Sequence, residues 1–265
     1  MVEHPEVGCA HRGDCIDVLR AWPDGFVDLC YAHPPPPSSA PGTLFSTRSR
    51  RAASPHDGPW QWDESAAKGL DAIQRDLDNP AHDAVVGLHI ALGDCGIMAF
   101  LAYMAVRLVE IRRVLKPTGS VYLHGGSAAG HYLKVLMDAV FGPRNFRNEI
   151  ICCDEGPNRA SRRQFATAHE AVLWYANGPR WTFNGHVEAG SQGRSSPPLS
   201  WVSRRRSAVS KNVELLERVI AVGSNPGDLV LDPFCVDGNS RAAALSLGRD
   251  WIGIDAPHCI GVEPR

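Results

Sequence analysis

Apolar positions recur at helical spacing in some segments and form short unbroken runs in others. In residues 14–22 the apolar side chains fall on one helical face, at Cys15, Val18, Leu19 and Trp22. The run FVDLCYA (26–32) that follows has strand length and ends at four prolines (34–37), through which neither strand nor helix continues. The pattern predicts a helix followed by a buried parallel strand.

The alternation of helix and strand patterns continues along the chain. MAFLAYMAVRLVEIRRVLKP (98–117) is apolar around most of its circumference and predicts a largely buried helix, which a tight turn at 116–119 ends. Strands are predicted at SVYLH, EIICC, LVLDPF and DWIGIDA, and helices at HYLKVLMDAVFG, VELLERVIAVGS and SRAAALSLG. Such alternation predicts an α/β fold of three layers, with a twisted, mostly parallel sheet between helices, in one domain over 1–265.

Two segments depart from this pattern. Residues 36–65 are rich in Ser, Pro, Ala and Gly and predict a long surface loop. Residues 156–211 hold nine Lys and Arg against two acids, with aromatic residues interleaved. Arginines neutralise phosphates and rings stack on bases, so this segment predicts a DNA contact, although a solvated loop face is the alternative. The candidate DNA-binding residues are Arg159, Arg162, Arg163, Arg204, Arg205 and Arg206.

Composition narrows the classes of protein further. The 265 residues are 44% hydrophobic and 21% charged, which excludes a disordered chain, and the net charge of −2 excludes a generally basic coat. No apolar stretch is long enough to span a membrane, and the N-terminus lacks the apolar core of a secretory signal. The eight cysteines form no CxxC pair. We therefore expect reduced thiols in a cytoplasmic protein.

Two segments place candidate functional residues at the edge of the predicted sheet. Residues 229–255 read as strand, glycine-containing turn, helix and a strand that ends in Asp255, which is the nucleotide-binding arrangement with an acid for ribose hydroxyls. An ordinary βαβ unit is the alternative. The strand before the prolines delivers His33 to the carboxyl edge of the sheet, where ligands of open α/β sheets bind.

Long blocks in a particular order carry a resemblance that covers nearly the whole chain, about 13–260. They are GDCIDVLRAWPDGFVDLCYA, LVEIRRVLKPTGSVYLH, HYLKVLMDAVFGPRNFRNEII, ELLERVIAVGSNPGDLVLDPFC and LGRDWIGID. In these blocks the chain resembles bacterial DNA amino-methyltransferases that modify adenine N6 or cytosine N4, in the branch whose cofactor motif comes last. The resemblance implies a Rossmann-like fold, S-adenosylmethionine as cofactor, and 156–211 as an inserted target-recognition lobe. It also implies double-stranded DNA as partner, and a homodimer or a partner subunit as assemblies to test.

The resemblance also assigns site residues, and several depart from the family pattern. The family ends its catalytic strand in Asp-Pro-Pro-Tyr or Asp-Pro-Pro-Phe, whereas this chain has His33, Pro34, Pro35 and Pro36. Histidine therefore replaces the acid that accepts a hydrogen bond from the target amino group, and proline replaces the ring that stacks on the base. The cofactor positions that carry over are Asp14, Lys211, Asp232, Phe234, Val236, Gly238 and Asp255.

The cofactor loop departs from the family pattern as well. The family has Phe-x-Gly-x-Gly, and here Val236 occupies the first glycine position. A branched side chain tolerates positive φ poorly and crowds the cofactor. Asp237 adds a negative charge where the methionyl carboxylate would lie. The departures from the family pattern therefore lie at catalytic and cofactor positions, whereas the long matching blocks lie in the predicted helices and strands.

Three interpretations remain open. The first is a DNA-binding relative with lost or strongly impaired methyl transfer, and the second is an active methyltransferase with atypical motifs. The third is a site converted to other chemistry, since Cys152, Cys153, Asp154 and Glu155 are expected beside His33 and include zinc-ligand types. Adjacent cysteines of a strand point to opposite faces, so only one would serve, and buried thiols are the alternative. We predict no metal site.

Overall fold

A computed structural model describes residues 4–35, 60–126, 128–153, 169–185, 208–235 and 238–255. Helices and strands alternate along these residues as the hydrophobic pattern predicts. The strands are β1 (Ala10–Arg12), β2 (Val27–Ala32), β3 (Leu115–Gly125), β4 (Phe146–Cys153), β5 (His169–Ala176), β6 (Leu229–Asp232) and β7 (Asp250–Asp255). The helices are α1 (Cys15–Ala21), α2 (Glu64–Arg75), α3 (His82–Leu92), α4 (Gly96–Val114), α5 (Gly130–Phe141), α6 (Ala208–Gly223) and α7 (Asn239–Ser246).

The strands form one sheet in the order β1-β7-β6-β2-β3-β5-β4. Five adjacent strands of the sheet pair in parallel, namely β1, β7, β6, β2 and β3. Strand β5 runs antiparallel to both of its neighbours, β3 and β4. The predicted mostly parallel sheet is confirmed. Its parallel part brings the carboxyl ends of β1, β7, β6, β2 and β3 to one edge, which is where an open α/β sheet binds ligands.

Helices cover both faces of the sheet, so the predicted three-layer α/β/α arrangement is confirmed. On one face, α4 and α5 bury side chains such as Phe100, Met104 and Leu136 in one hydrophobic cluster. On the other face, α6 and α7 bury Leu216, Ile220 and Ala243 in a second cluster. Residues 4–35, 60–126 and the other described ranges contain no helix that is long and apolar enough to cross a membrane.

The junction between α4 and β3 differs from the prediction. The helix ends at Val114 rather than at residue 117, and residues 116–119 belong to β3 instead of a separate turn. The strand bulges there, because Val27 pairs with Leu115 whereas Leu29 pairs with Ser120. The Lys116 amine donates to both carboxylate oxygens of Asp28 at 2.8 Å, which holds the bulge against β2.

The segment 156–211, predicted to be a recognition lobe, contributes a strand to the central sheet. Within it, β5 is a strand of the central sheet between β3 and β4, and its apolar residues Val172–Ala176 are buried. Residues 208–211 begin α6. Residues 177–185 follow β5. The remaining parts of the segment, 156–168 and 186–207, lie outside the described residues.

The predicted surface loop over 36–65 also ends earlier than expected. The Asp63 carboxylate accepts a hydrogen bond from the Ala66 amide at 2.8 Å, so α2 begins at Glu64. Just before this cap, Trp60 packs on Phe100 and Trp62 stacks on His89. Residues 36–59 lie outside the described part of the chain.

Candidate functional site

The end of β2 presents an exposed histidine beside a buried one. His33 follows the last residue of β2 and is exposed, whereas the next residue, Pro34, is buried. The His33 ring stacks on His124 of the neighbouring strand β3, with 4.3 Å between ring centroids and 28° between ring planes. His124 is only 6% exposed. The structure thus places the predicted catalytic position at the carboxyl edge of the sheet.

Both nitrogens of His124 lie against polar groups. The buried Tyr31 hydroxyl is 2.5 Å from Nε2, and Glu170 Oε2 is 3.6 Å from Nδ1. If the tyrosine hydroxyl donates to Nε2, Nδ1 of His124 carries a proton that faces the carboxylate. The pKa of Glu170 is lowered, first by its hydrogen bond with His124 and then by the charge interactions with His124 and His33, against the opposing effect of burial. The four side chains form one connected group, which we call the histidine cluster (Tyr31, His33, His124 and Glu170).

Asp232 holds the described part of the turn after β6 in place. The buried Asp232 carboxylate accepts from the Phe234 amide at 3.1 Å and from the Ser240 hydroxyl at 2.5 Å. Gly238 adopts φ +70° and precedes α7, whose first turn has no side-chain cap. The N-terminus of a helix next to a glycine is suited to an anionic or polar ligand group.

Asp255 ends β7 at the same edge and is exposed. Its backbone oxygen accepts from the Gly13 amide at 3.1 Å, which brings the turn after β1 beside it. Its carboxylate accepts no hydrogen bond from any side chain in the described ranges and is available to a ligand with hydroxyl groups. Asp255 lies at the edge where the sequence places it, and its role as a ribose-binding acid stays a prediction.

Asp14 has a structural role in addition to its predicted cofactor role. Its carboxylate accepts from the Ile16 amide at 2.9 Å and thereby caps α1. It also receives two hydrogen bonds from the buried Arg107 at 2.5 and 2.7 Å. The Arg107 guanidinium lies 3.3 Å from the ring centroid of Tyr103. Asp14 therefore ties α1 to α4.

A buried thiol lies beneath the site. Cys30 in β2 is fully buried, and its pKa is raised well above the ordinary value by burial, by the nearby charge of Asp232 and by Cys15. A neutral thiol at this position is part of the core and not a nucleophile.

The strand order differs from the arrangement that the converted-site interpretation assumes. That interpretation requires the strand that carries Cys152 to lie beside the strand that ends at His33, but β4 is an edge strand, separated from β2 by β3 and β5. Both edges of β3 are occupied, by β2 and β5, and Cys152 of β4 pairs with Glu170 of β5 rather than with a residue of β2. The described residues contain no group of three or more His, Cys, Asp or Glu that could hold a metal. Asp154 and Glu155 lie outside the described residues.

The remaining predicted site residues divide into described and undescribed ones. Pro35 is half-buried, Phe234 follows β6, and Lys211 lies in the first turn of α6. The positions outside the described residues are Pro36, Val236, Asp237, Arg159, Arg162, Arg163, Arg204, Arg205 and Arg206.

The site residues predicted from the sequence do not include His124, Tyr31, Glu170 or Arg107. The signal for His124 was available, since it ends the predicted strand SVYLH and so reaches the same edge as His33. Tyr31 lies two residues before His33 and on the same side of its strand. The roles of Glu170 and Arg107 depend on the pairing of β5 with β3 and the packing of α4 on α1, which no local pattern indicates.

Comparison with known families agrees with this architecture. The family model for N6- and N4-directed DNA methylases, described as DNA methylase, matches residues 93–258, which is more than half of the chain. The chain belongs to this family. Among its relatives, the Type II methyltransferase M.HinfI of Haemophilus influenzae is 28% identical over 264 residues, a match that covers 92% of this chain and 63% of M.HinfI.

Solved structures show the same fold. TTHA0409 from Thermus thermophilus, in complex with S-adenosyl-L-methionine, is 19% identical, with a TM-score of 0.57 over 93% of this chain and 88% of that chain. The cytosine-N4-specific PvuII DNA methyltransferase is 16% identical, with a TM-score of 0.57 over 96% of this chain and 83% of that one. The chain therefore has the Rossmann-like fold of S-adenosylmethionine-dependent methyltransferases.

Proposed function

We propose that this chain binds double-stranded DNA and S-adenosylmethionine, and that its methyl transfer is lost or strongly impaired. The observation that carries the proposal is the exposed imidazole of His33 at the end of β2, stacked on His124. The family resemblance places an acid at this position, and the rest of the scaffold around it is preserved.

The loss of the acid acts directly on the reaction. The target amino nitrogen develops positive charge as it accepts a methyl group, and a carboxylate stabilises that charge with two oxygens and a negative charge. Neutral imidazole offers one acceptor nitrogen, and protonated imidazole offers none and repels the cation. The carboxylate of the histidine cluster, Glu170, lies against Nδ1 of the buried His124. Glu170 contacts His124, the ring beneath His33, and we therefore expect that it does not replace the missing acid.

Three features support a retained cofactor site. Asp255 is exposed and free to accept hydrogen bonds from ribose hydroxyls. Gly238 keeps the left-handed backbone conformation, and Asp232 fixes the turn through Phe234 and Ser240. When bound there, S-adenosylmethionine supplies the methyl group that the family transfers. Val236 and Asp237 oppose this binding by bulk and by charge, so we expect weak affinity.

DNA binding has separate support. The family acts on DNA, and the segment from 156 to 211 combines a strong excess of positive charge with aromatic residues in a chain of net charge −2. Relatives are longer than this chain, which covers 63% of M.HinfI.

The second candidate function is an active methyltransferase with atypical motifs. The preserved geometry of Asp232, Gly238 and Asp255 favours it, because a scaffold that binds the cofactor well needs only a competent acceptor for the amino group. A subunit that binds DNA or a protein partner without any cofactor is the alternative in a different functional class.

Two binding measurements on the full chain separate these functions. Calorimetry with S-adenosylmethionine should give weak but saturable heat, and fluorescence anisotropy with duplex DNA at low salt should show binding. Tight cofactor binding together with DNA binding would favour the active enzyme. No cofactor heat with DNA binding would leave the non-enzymatic subunit, and no DNA binding would contradict the proposal.

A further inference from the structure

We propose that single-stranded nucleic acid binds a basic and aromatic surface at the amino edge of the sheet, where the parallel strands begin, opposite the edge that carries His33. The surface, which we call the amino-edge patch, consists of Arg112, Arg144, Arg147, Arg180, Trp181 and Phe183. The inference goes beyond the proposed function, because it concerns another edge of the fold and a ligand other than duplex DNA.

Strand directions place the patch far from the candidate site. Because β5 runs antiparallel to β3, with Ala176 opposite Ser120, it ends at the edge where the parallel strands begin. Residues 177–185 follow β5 there, and β4 starts at the same edge with Phe146 opposite Tyr175. Strand β5 has 8 residues, so at about 3.3 Å per residue roughly 25 Å separates the two edges. A ligand seated on the carboxyl edge therefore does not occupy the patch.

A chain of contacts joins the four arginines of the patch. Arg112, in the last turn of α4, donates a hydrogen bond to a backbone oxygen in the last turn of α5. Arg144 lies in the short turn that follows α5, and its backbone oxygen accepts from Arg147 at 2.8 Å. The Arg147 guanidinium in turn lies 3.8 Å from the ring centroid of Trp181, the residue after Arg180. The four positive charges therefore form one continuous surface.

The charge of the patch is not neutralised by ion pairs. In the ranges that the structure describes, none of its four arginines pairs with an acid, whereas Arg113 beside them pairs with Asp24 and Glu110. Arg147 is half-buried and the other three are exposed. The exposed Glu149 on β4 offsets one of the four charges, so the patch keeps an excess of positive charge. Such arginines are suited to phosphates, whose charge they neutralise.

Aromatic rings lie next to these charges. Phe183 is 49% exposed and stacks on Trp174 of β5, with 5.4 Å between ring centroids and 19° between ring planes. Trp174 stacks in turn on the buried Tyr122 of β3. The exposed ring therefore rests on two rings that the sheet holds in place, and it loses little conformational freedom when a base stacks on it.

Single-stranded nucleic acid has the chemistry that matches this surface. Proteins that bind single strands combine positive charge along the backbone with aromatic rings on which bases stack. In a duplex the faces of the bases are covered by their neighbours, so the exposed ring of Phe183 favours unpaired bases. An acidic peptide would pair with the arginines but would bring no base to the ring.

The salt dependence of binding tests the arginines. We expect the full chain to bind a labelled oligothymidine strand, measured by anisotropy at low salt. For single strands the slope of log affinity against log salt is about 0.7 for each phosphate neutralised, so Arg144→Gln together with Arg180→Gln should flatten it by up to about 1.4. Lys68→Gln together with Arg75→Gln is the matched control, because it removes the same charge from exposed positions on α2. An equal effect of both double substitutions would contradict the patch.

A strand without bases tests the ring. This abasic strand keeps the phosphates and lacks the stacking partners. Phe183→Ala should lower the affinity for oligothymidine by about 5- to 150-fold, the range for stacking of one base, and leave the affinity for the abasic strand unchanged. Phe183→Tyr keeps a ring and should keep the preference, as should Leu245→Ala, which removes another exposed apolar side chain. Thermal unfolding followed by circular dichroism checks that the variants fold.

The outcomes separate this inference from the proposed function. The patch variants should bind duplex DNA as tightly as the unmodified chain does. No binding of oligothymidine, or binding that neither the arginine nor the Phe183 substitutions change, would overturn the patch and leave duplex binding in place. Equal losses of affinity for oligothymidine and for duplex DNA would overturn the separate site. Binding of oligothymidine without binding of duplex DNA would contradict the proposed function alone.

Discussion

The proposed function depends on one side chain, His33, which stands where the family resemblance places an acid at the end of β2. The substitution removes a negative charge and one acceptor from the place where a target amino group would lie, and the ring then stacks on His124. The neighbouring Pro34 is buried, so the backbone that delivers the side chain is held in place. We therefore expect the change to affect methyl transfer and not the fold.

The cofactor loop provides a residue-scale prediction. Changing Val236→Gly together with Asp237→Ser should strengthen binding of S-adenosylmethionine, because it removes a branched side chain and a negative charge beside Gly238, which already adopts φ +70°. Calorimetry measures the change. Phe234→Ala, which removes a neighbouring loop side chain and leaves both obstacles in place, should not strengthen it. No gain from the double substitution would show that this loop does not limit affinity.

Cys30 provides a prediction about pH. Its pKa is raised in the folded protein, so its contribution to stability is complete below the ordinary thiol pKa, near 8.5, and is lost as pH rises above that value. The free energy of unfolding should therefore decline as the pH rises above roughly 8.5, with a contribution from this thiol. Urea unfolding across this range should show a shallower decline for Cys30→Ala.

The partly exposed Cys9 supplies the control for that measurement. Cys9→Ala should retain the decline of the unmodified chain. An identical decline in Cys30→Ala would contradict the assignment of the buried thiol as its source.

At the scale of elements, the packing of α6 on the sheet depends on a glycine. A Cβ at Gly223 would meet the Tyr122 hydroxyl at 2.8 Å and Leu29 Cδ1 at 2.9 Å. Both neighbours are buried in the sheet, so Gly223→Ala should lower the free energy of unfolding by about 1–3 kcal/mol. Gly87→Ala is the matched control, because its Cβ would meet nothing within 4 Å.

In the interior of α3, Gly87→Ala should raise the free energy of unfolding by about 0.5–1 kcal/mol, since alanine favours helix and restricts the unfolded chain. Urea unfolding measures both variants. Equal effects of the two substitutions would contradict the close approach of α6 to β2 and β3.

The elements also show which parts of the fold a sequence can predict. The apolar runs of β2, β6 and β7 and the glycine after α5 are local signals, and the structure confirms the elements they predict. Sheet order is not local. The basic residues around HEAVLWYA favour a recognition lobe, yet β5 inserts between β3 and β4 and moves Cys152 away from His33.

The candidate site divides in the same way. Positions at strand ends, such as His33 and Asp255, are predictable because parallel strands present their carboxyl ends at one edge. Partners from other strands are not, and Glu170 reaches His124 only through the antiparallel pairing of β5 with β3. Arg107 and Asp14 are 93 residues apart in the sequence, and the packing of α4 on α1 brings them together.

For the whole molecule, the charge distribution predicts how DNA binding depends on salt. The slope of log affinity against log salt should fall by about one unit for each phosphate that the protein no longer neutralises. Changing Arg204, Arg205 and Arg206 together to Ala should flatten the slope accordingly, measured by anisotropy between about 50 and 200 mM salt. The control changes three exposed basic residues on helices, Arg20, Lys68 and Arg75, and should leave the slope unaltered. An unaltered slope in the arginine variant would place the DNA-binding surface elsewhere.

Methyl transfer itself is the most direct test of the account, which holds that the fold of the family is kept and its chemistry is not. The full chain is incubated with radiolabelled S-adenosylmethionine and mixed-sequence duplex DNA at neutral pH, beside a variant with His33→Asp, Pro36→Tyr, Val236→Gly and Asp237→Ser. We predict no label on DNA from the unmodified chain and measurable label from the fourfold variant. Stoichiometric label from the unmodified chain that disappears in His33→Ala would contradict the account and show that histidine replaces the acid.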